Sequence, residues 1–215
     1  MITFTKFYTS SVGRKVLMSL TGLFLCSFLI VHLTINLFLF GGERSFEDYA
    51  EFMATYPLLR PVEIILFLGF LLHAVIGVWL WIQNRMARPE RYEVNSASDN
   101  SALSSRVAFW TGLVVAAFLV VHINAFFITS RFLYTGKTMY EIVAESFQQP
   151  LTVIFYLLAL AFLAYHLKHG FQSAFQTLGW RTARYGWLID AVGVIFWLLI
   201  PLCFAAMPLY FLWAH

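Results

Sequence analysis

The sequence predicts an all-α integral membrane protein, a bundle of five transmembrane helices. Composition is the first reason: 60% of the 215 residues are hydrophobic, 12% are charged, and the mean hydropathy is +0.75. A soluble domain of this length lacks the interior to hide so much apolar surface, whereas a membrane bundle turns it towards lipid. The second reason is the recurrence of membrane-length runs without a charge. The third is the punctuation of those runs by Pro61, Pro150 and Gly186.

Each run justifies one helix. Val16–Phe40, Ile64–Gln83, Val107–Ser130 and Ala191–His215 contain no charged residue. Leu151–Leu167 is shorter, but it extends past Lys168 to about Phe175 if that side chain snorkels. Helices are expected at about 12–40, 62–85, 106–130, 150–176 and 187–212, forming one domain over 1–215. The first run is too long for a signal peptide and lacks a small-residue cleavage pattern, so it is expected to remain in the chain. Between the spans, 94–105 is small and polar and reads as a loop. The 43–56 and 138–147 segments carry aromatic and aliphatic residues at helical spacing, and both are expected to be short interfacial helices.

Basic residues give the orientation. Lys6, Arg14, Lys15, Arg85, Arg88, Arg91, Arg106, Lys168, Arg181 and Arg184 fall on one side of the predicted membrane. The other side has only Arg44, Arg60, Arg131 and Lys137, with most of the acids. The positive-inside rule then places the N-terminus in the cytoplasm and the C-terminus outside. Trp79, Trp81, Trp180, Trp187 and Trp213 lie near helix ends, where interfacial anchors are expected.

Four of these runs contain a histidine in their interior, His32, His73, His122 and His166, while His215 only ends the fifth. An ionisable side chain in hydrocarbon is costly unless partnered, and by default marks a functional site. One such residue is explained by a helix-to-helix hydrogen bond. Four of them, on four consecutive helices, point to two pairs of axial haem ligands. The lack of Cys-x-x-Cys-His excludes covalent attachment, and Cys26 and Cys203 suggest no disulfide framework.

An internal repeat supports the pairing. Thr21-Gly22-Leu23 through His32 overlays Thr111-Gly112-Leu113 through His122, with seven of twelve positions identical. His73-x-x-x-Gly77 echoes His166-x-x-x-Gly170 more weakly. Helices 1–2 therefore resemble helices 3–4, a common duplication in membrane folds. His32 lies about 24 Å from the inner start of its run, in a core of roughly 30 Å. His73 lies about 18 Å from the outer start of its own, and His166 also falls in the inner half. Depth thus pairs His32 with His122 for an outer haem, and His73 with His166 for an inner one. Gly22, Gly69, Gly77, Gly112 and Gly170 offer either close approach for a flat ligand or ordinary small-residue helix packing.

Ser-x-Thr-Gly-Leu-Phe-Leu ending at His32, Asn84-Arg-Met-Ala-Arg-Pro89, and His166-Leu-Lys-His-Gly170 through Gly179 resemble the cytochrome b anchor of succinate:quinone oxidoreductases. The similarity is to the single-chain, five-helix, dihaem type, also found in quinol:fumarate reductases. It implies two haems b held by His32 with His122 and by His73 with His166. It also implies a quinone substrate of menaquinone type, and partner subunits carrying FAD and iron–sulfur clusters. Location in a bacterial cytoplasmic membrane, as a multi-pass subunit of complex II, follows from the same resemblance. Ser19 matches a family serine near an inner haem propionate. Some members carry a membrane glutamate two residues before the fourth ligand; here that position is Ala164.

The remaining candidates have two readings each. His169 lies one turn from His166 and competes with it as the inner ligand, although the family pattern and the His-x-x-x-Gly match favour His166. His169, Lys168, Arg14, Lys15 and Arg106 either clamp propionates or mark the inner boundary. Of Glu47, Asp48 and Glu51, one is expected to accept protons from quinol, with Glu47 preferred; the alternative is a solvated acidic face. His215 is expected to be solvated. The competing functions are a cytochrome b anchor of a formate dehydrogenase or hydrogenase, and a haem-free, proton-coupled transporter using the histidines as a relay.

Overall fold

The computed structural model of the chain describes residues 10–86, 103–133 and 136–213, without the side chains of 103–106. Most of the polar 94–105 segment, together with Lys6, Arg88, Arg91 and His215, lies outside the described residues. Among the described residues all regular structure is helical. Five helices are long and apolar enough to cross a membrane: Ser11–Gly41, Leu59–Met86, Val107–Phe132, Pro150–Thr177 and Gly186–Trp213.

The first span, α1 (Ser11–Leu37), starts where the Ser10 hydroxyl accepts the Gly13 amide N–H at 3.0 Å, satisfying one of the helix's orphan donors. It tightens into a 3₁₀ turn over Phe38–Gly41 and stops at Gly42, whose φ of 84° favours glycine. The chain then enters α2 (Glu43–Thr55), the first of the two short helices. The second span, α3 (Leu59–Met86), has Pro61 in its first turn, where a missing amide N–H costs nothing.

The third span, α4, is helical over Leu103–His122, widens to a π-helical stretch over Ile123–Ile128, and ends at Thr129–Phe132. The Thr129 hydroxyl donates to the Asn124 carbonyl at 2.9 Å, occupying an acceptor within that wide stretch. The second short helix, α5 (Met139–Phe147), opens with a capping box in which Thr138 and Glu141 satisfy each other's backbone N–H. The fourth span, α6 (Pro150–Thr177), begins with proline in its first turn. The fifth, α7, covers Gly186–Val194, a π-helical stretch at Ile195–Leu199, and Ile200–Trp213.

The spans are arranged as a four-helix square with a flanking helix. Neighbours around the square are α1 with α3, α3 with α4, α4 with α6, and α6 with α1. The diagonals join α1 to α4 and α3 to α6. The flanking α7 packs on α6 and α1. One core cluster lies at the end carrying α2 and α5, where Leu39, Phe46, Phe126, Phe147, Tyr156 and Phe211 meet. The other sits between α1, α6 and α7, around Cys26, Leu167, Phe171 and Phe196. Large apolar side chains such as Val120, Leu151 and Trp213 point outwards, as an apolar solvent requires. Trp81 stacks on Phe109 at 4.3 Å and ties α3 to α4.

Candidate functional site: two histidine pairs across the bundle

The structure brings the four span histidines together two by two, and both pairs cross a diagonal of the square. The rings of His32 (α1) and His122 (α4) are 5.9 Å apart between centroids and inclined at 88°. Those of His73 (α3) and His166 (α6) are 6.2 Å apart and inclined at 85°. All four residues are half-buried. The first pair lies towards the α2/α5 end, near Phe126 and Phe147. The second lies in the opposite half, beside the carbonyl of Ala108.

Each pair has its own supporting contacts. At the second pair, the Thr21 hydroxyl lies 3.1 Å from His73 Nδ1, while the same oxygen reaches the carbonyls of Leu17 at 2.9 Å and Met18 at 3.0 Å. A hydroxyl has one hydrogen, and the carbonyls can only accept, so that hydrogen points at the backbone. With that hydrogen on the backbone, Thr21 accepts from His73 in the tautomer protonated at Nδ1. The Met18 carbonyl also interacts with this imidazole. Across the diagonal, His166 Nδ1 donates to the Ala108 carbonyl at 3.2 Å, with the Thr111 hydroxyl at 3.5 Å, and Thr111 itself donates to Ala108 at 3.0 Å. Both rings thereby keep the Nε2 lone pair free, the tautomer a metal ligand needs.

The glycine beside each threonine completes the seat. A Cβ on Gly22 would stand 3.3 Å from His73 Cε1, and one on Gly112 would stand 2.9 Å from His166 Cε1. The sequence pattern treats Thr-Gly as a ruler for histidine depth on its own helix. Its structural role is to receive the histidine of the next helix. The signal was present: a polar Thr before a Gly, repeated in two apolar spans. By contrast, Gly170 has nothing within 4 Å of its would-be Cβ.

The first pair is supported differently. His122 Nδ1 is 3.2 Å from the Tyr156 hydroxyl, and its ring meets Phe118 and Phe126. His32 packs on Phe28 at 5.2 Å and on Phe204 of α7 at 5.5 Å. The Asn36 amide donates to the His32 carbonyl at 2.8 Å and sits 3.4 Å from its Nδ1. His122 is also the last residue before the π-helical stretch of α4, a feature that recurs at functional sites and that no sequence pattern here announces.

The other candidates are placed as follows. His169 faces its own helix, with Nε2 3.1 Å from the Ser173 hydroxyl, and the ring that meets His73 belongs to His166. Ser19 is buried and donates to the Lys15 carbonyl at 2.9 Å. Lys168 lies over the Trp197 ring of α7. Arg14 lies over Trp79, and its Nε is buried with no partner among the described residues. The Arg106 side chain is outside the described residues. At the other end, half-buried Glu47 accepts the Tyr140 amide N–H at 2.6 Å and Glu43 accepts the Thr138 hydroxyl at 3.0 Å, so α2 holds the start of α5. Asp48 and Glu51 are exposed. A further acid, Glu63, pairs with Arg60 at 2.7 Å and lies 3.9 Å from Arg131; the Arg-x-x-Glu spacing was its signal in the sequence.

The donor set fits haem b. Two imidazoles on opposite sides of one metal, with bonds of about 2.0 Å, have ring centroids roughly 6 Å apart. The observed 5.9 and 6.2 Å match that separation. Among the described residues no group of three or more His, Cys, Asp or Glu side chains converges on a point. Two histidines do not complete the shell of a bare ion, but they do complete that of a porphyrin iron. The unpartnered Arg14 Nε, at the end where His73 and His166 lie, suits an anionic substituent.

No family model and no solved structure matches the chain. A curated relative does: the succinate dehydrogenase cytochrome b558 subunit of Bacillus subtilis (strain 168), 26% identical over 160 residues. The match covers 71% of this chain and 72% of that protein. The chain is thus a homologue of a succinate dehydrogenase cytochrome b subunit, and its five apolar helices fit a cytochrome b anchor.

Proposed function

We propose that this chain is the dihaem b anchor of a succinate:quinone oxidoreductase, passing electrons between an iron–sulfur subunit and a membrane quinone of menaquinone type. The observation that carries the reading is the diagonal pairing of four span histidines at spacings suited to one metal each. His32 and His122 would hold one haem, and His73 and His166 the other. Bound there, haem b supplies reversible one-electron transfer. The chain's own residues orient the ligands: Thr21 and the Ala108 carbonyl at the inner pair, and Tyr156 at the outer one.

The cytoplasmic N-terminus follows from the basic bias of the sequence, and it makes the α2/α5 end the outer one. The iron–sulfur subunit, itself joined to the flavoprotein, then docks on the basic inner face. Arg14, Ser19, Arg106 and His169 are candidates for propionate contacts there. Quinone reacts at the outer end, with Glu47 as proton acceptor in preference to the exposed Asp48 and Glu51. Its carboxylate reaches the α2–α5 junction while theirs face outwards.

The experiment is purification of the intact complex with haem quantification. Two haems b per chain are expected, with His32→Ala or His122→Ala removing one and His73→Ala or His166→Ala removing the other. A colourless preparation refutes the reading in favour of a haem-free transporter. A haem-containing complex without succinate:quinone activity favours the anchor of another dehydrogenase.

A further inference from the structure

Among the described residues the buried polar side chains are Ser19, Thr21 and Thr111. Two of these three are the threonines of the repeated Thr-Gly pairs, and each faces a histidine of the neighbouring helix. We infer that Thr21 is a positioning residue for the inner haem: its hydroxyl accepts from His73 Nδ1–H, fixes the ligand tautomer, and lowers the midpoint potential of that haem. Thr111 is its weaker counterpart at His166. The inference rests on the reading of His73 and His166 as haem ligands.

The geometry gives both the role and its direction. The single hydroxyl hydrogen of Thr21 is committed to the Leu17 and Met18 carbonyls, so only a lone pair is left for the imidazole. Accepting from Nδ1–H makes Nε2 more basic, and a more basic axial ligand favours ferric over ferrous iron. Removing the acceptor therefore raises the midpoint potential. Each histidine also meets a backbone carbonyl, Met18 for His73 and Ala108 for His166, and the effect is larger at Thr21, 3.1 Å from its histidine, than at Thr111, 3.5 Å away. The adjacent glycines leave the imidazoles room to sit this close to a helix backbone.

The test is a redox titration of both haems in the complex purified with Thr21→Val and with Thr21→Ser. Valine keeps the shape of threonine without the hydroxyl, and serine keeps the hydroxyl. Thr21→Val is expected to change the ferric-to-ferrous ratio of the inner haem by about tenfold at fixed potential, ~59 mV for a one-electron couple. The outer haem and the serine variant should stay at wild-type values. If the valine variant loses the inner haem while serine keeps it at the wild-type potential, the hydroxyl is again supported. Unchanged potentials in the valine variant overturn the inference, as does loss of the haem in both variants. A shift in the haem that His32→Ala removes also overturns it. Absence of haem b from the wild-type complex instead sinks the ligand reading on which the inference stands.

Discussion

Gly112→Ala separates the seat for His166 from ordinary helix packing. Replacing glycine by alanine inside a helix ordinarily stabilises it, by roughly 0.5–1 kcal/mol of backbone propensity. Here the added Cβ would stand 2.9 Å from His166 Cε1 and 3.3 Å from Nδ1, where ordinary contacts lie at 3.4–4 Å. The ring must move by several tenths of an ångström, away from a helix it meets through the Ala108 carbonyl at 3.2 Å. Overpacking of this kind costs about 1–3 kcal/mol, and stretching the hydrogen bond adds about 0.5–1.5 kcal/mol. Against the propensity gain, a net loss of about 1–3 kcal/mol remains, corresponding to roughly 5- to 150-fold weaker retention of the inner haem. Gly170→Ala is the control, because nothing lies within 4 Å of its Cβ and only the propensity gain should appear. Pyridine haemochrome quantification, with absorption spectra of the purified complex, reads both variants. Full retention of two haems with unchanged spectra in Gly112→Ala would falsify the close seating of His166. Equal losses in Gly112→Ala and Gly170→Ala would show that the glycines act only through general packing.

Three further outcomes follow from individual contacts. Tyr156→Phe removes the hydroxyl 3.2 Å from His122 Nδ1 and should shift the midpoint potential of the outer haem while leaving the inner one in place; a titration in which only the inner haem moves contradicts the pairing. Thr138→Ala abolishes the capping box of α5 and should cost about 0.5–2 kcal/mol, read as a lower Tm of the detergent-solubilised complex. Asp190→Asn weakens the two-pronged pairing with Arg181 at 2.9 and 3.0 Å that joins α7 to the turn after α6. Because those groups are partly exposed, it should lower stability by no more than about 1 kcal/mol, and a larger fall in Tm would contradict that reading, since the amide oxygen can still accept from Gln172.

The five spans were legible because lipid demands an unbroken apolar length, and that demand writes itself into runs such as Val16–Phe40 and Ile64–Gln83. The two short helices could be read from apolar residues at helical spacing around Phe46 and Ile142. Which histidine meets which was accessible through depth alone, since rise per residue converts sequence distance into height. The supporting contacts were not accessible. Thr21 meets His73 from 52 residues away and Thr111 meets His166 from 55, so no local pattern connects them. The Glu47 contact with the Tyr140 backbone was hidden for the same reason, across 93 residues. The π-helical stretch after His122 is a choice between nearly equivalent backbone hydrogen-bond patterns, and an apolar run such as Ile123–Ile128 carries no mark of it.

The duplication acquires a physical sense once seat and pairing are separated. Each helical hairpin, α1–α3 and α4–α6, seats one inner histidine internally: Thr21-Gly22 receives His73, and Thr111-Gly112 receives His166. Yet neither hairpin contains a complete pair, because both pairs cross the diagonals between hairpins. A hairpin alone would leave each of its imidazoles without the histidine that faces it across the bundle. Two such hairpins packed together give both pairs at once. The repeat also sets where the two sites can differ. At the pair of His73 and His166 each histidine rests on a threonine of the preceding span, at 3.1 Å for Thr21 and 3.5 Å for Thr111. At the outer pair the symmetry is broken, since Tyr156 faces His122 and Asn36 faces His32. Under the dihaem reading, two haems with identical ligands but unequal second contacts need not share one potential.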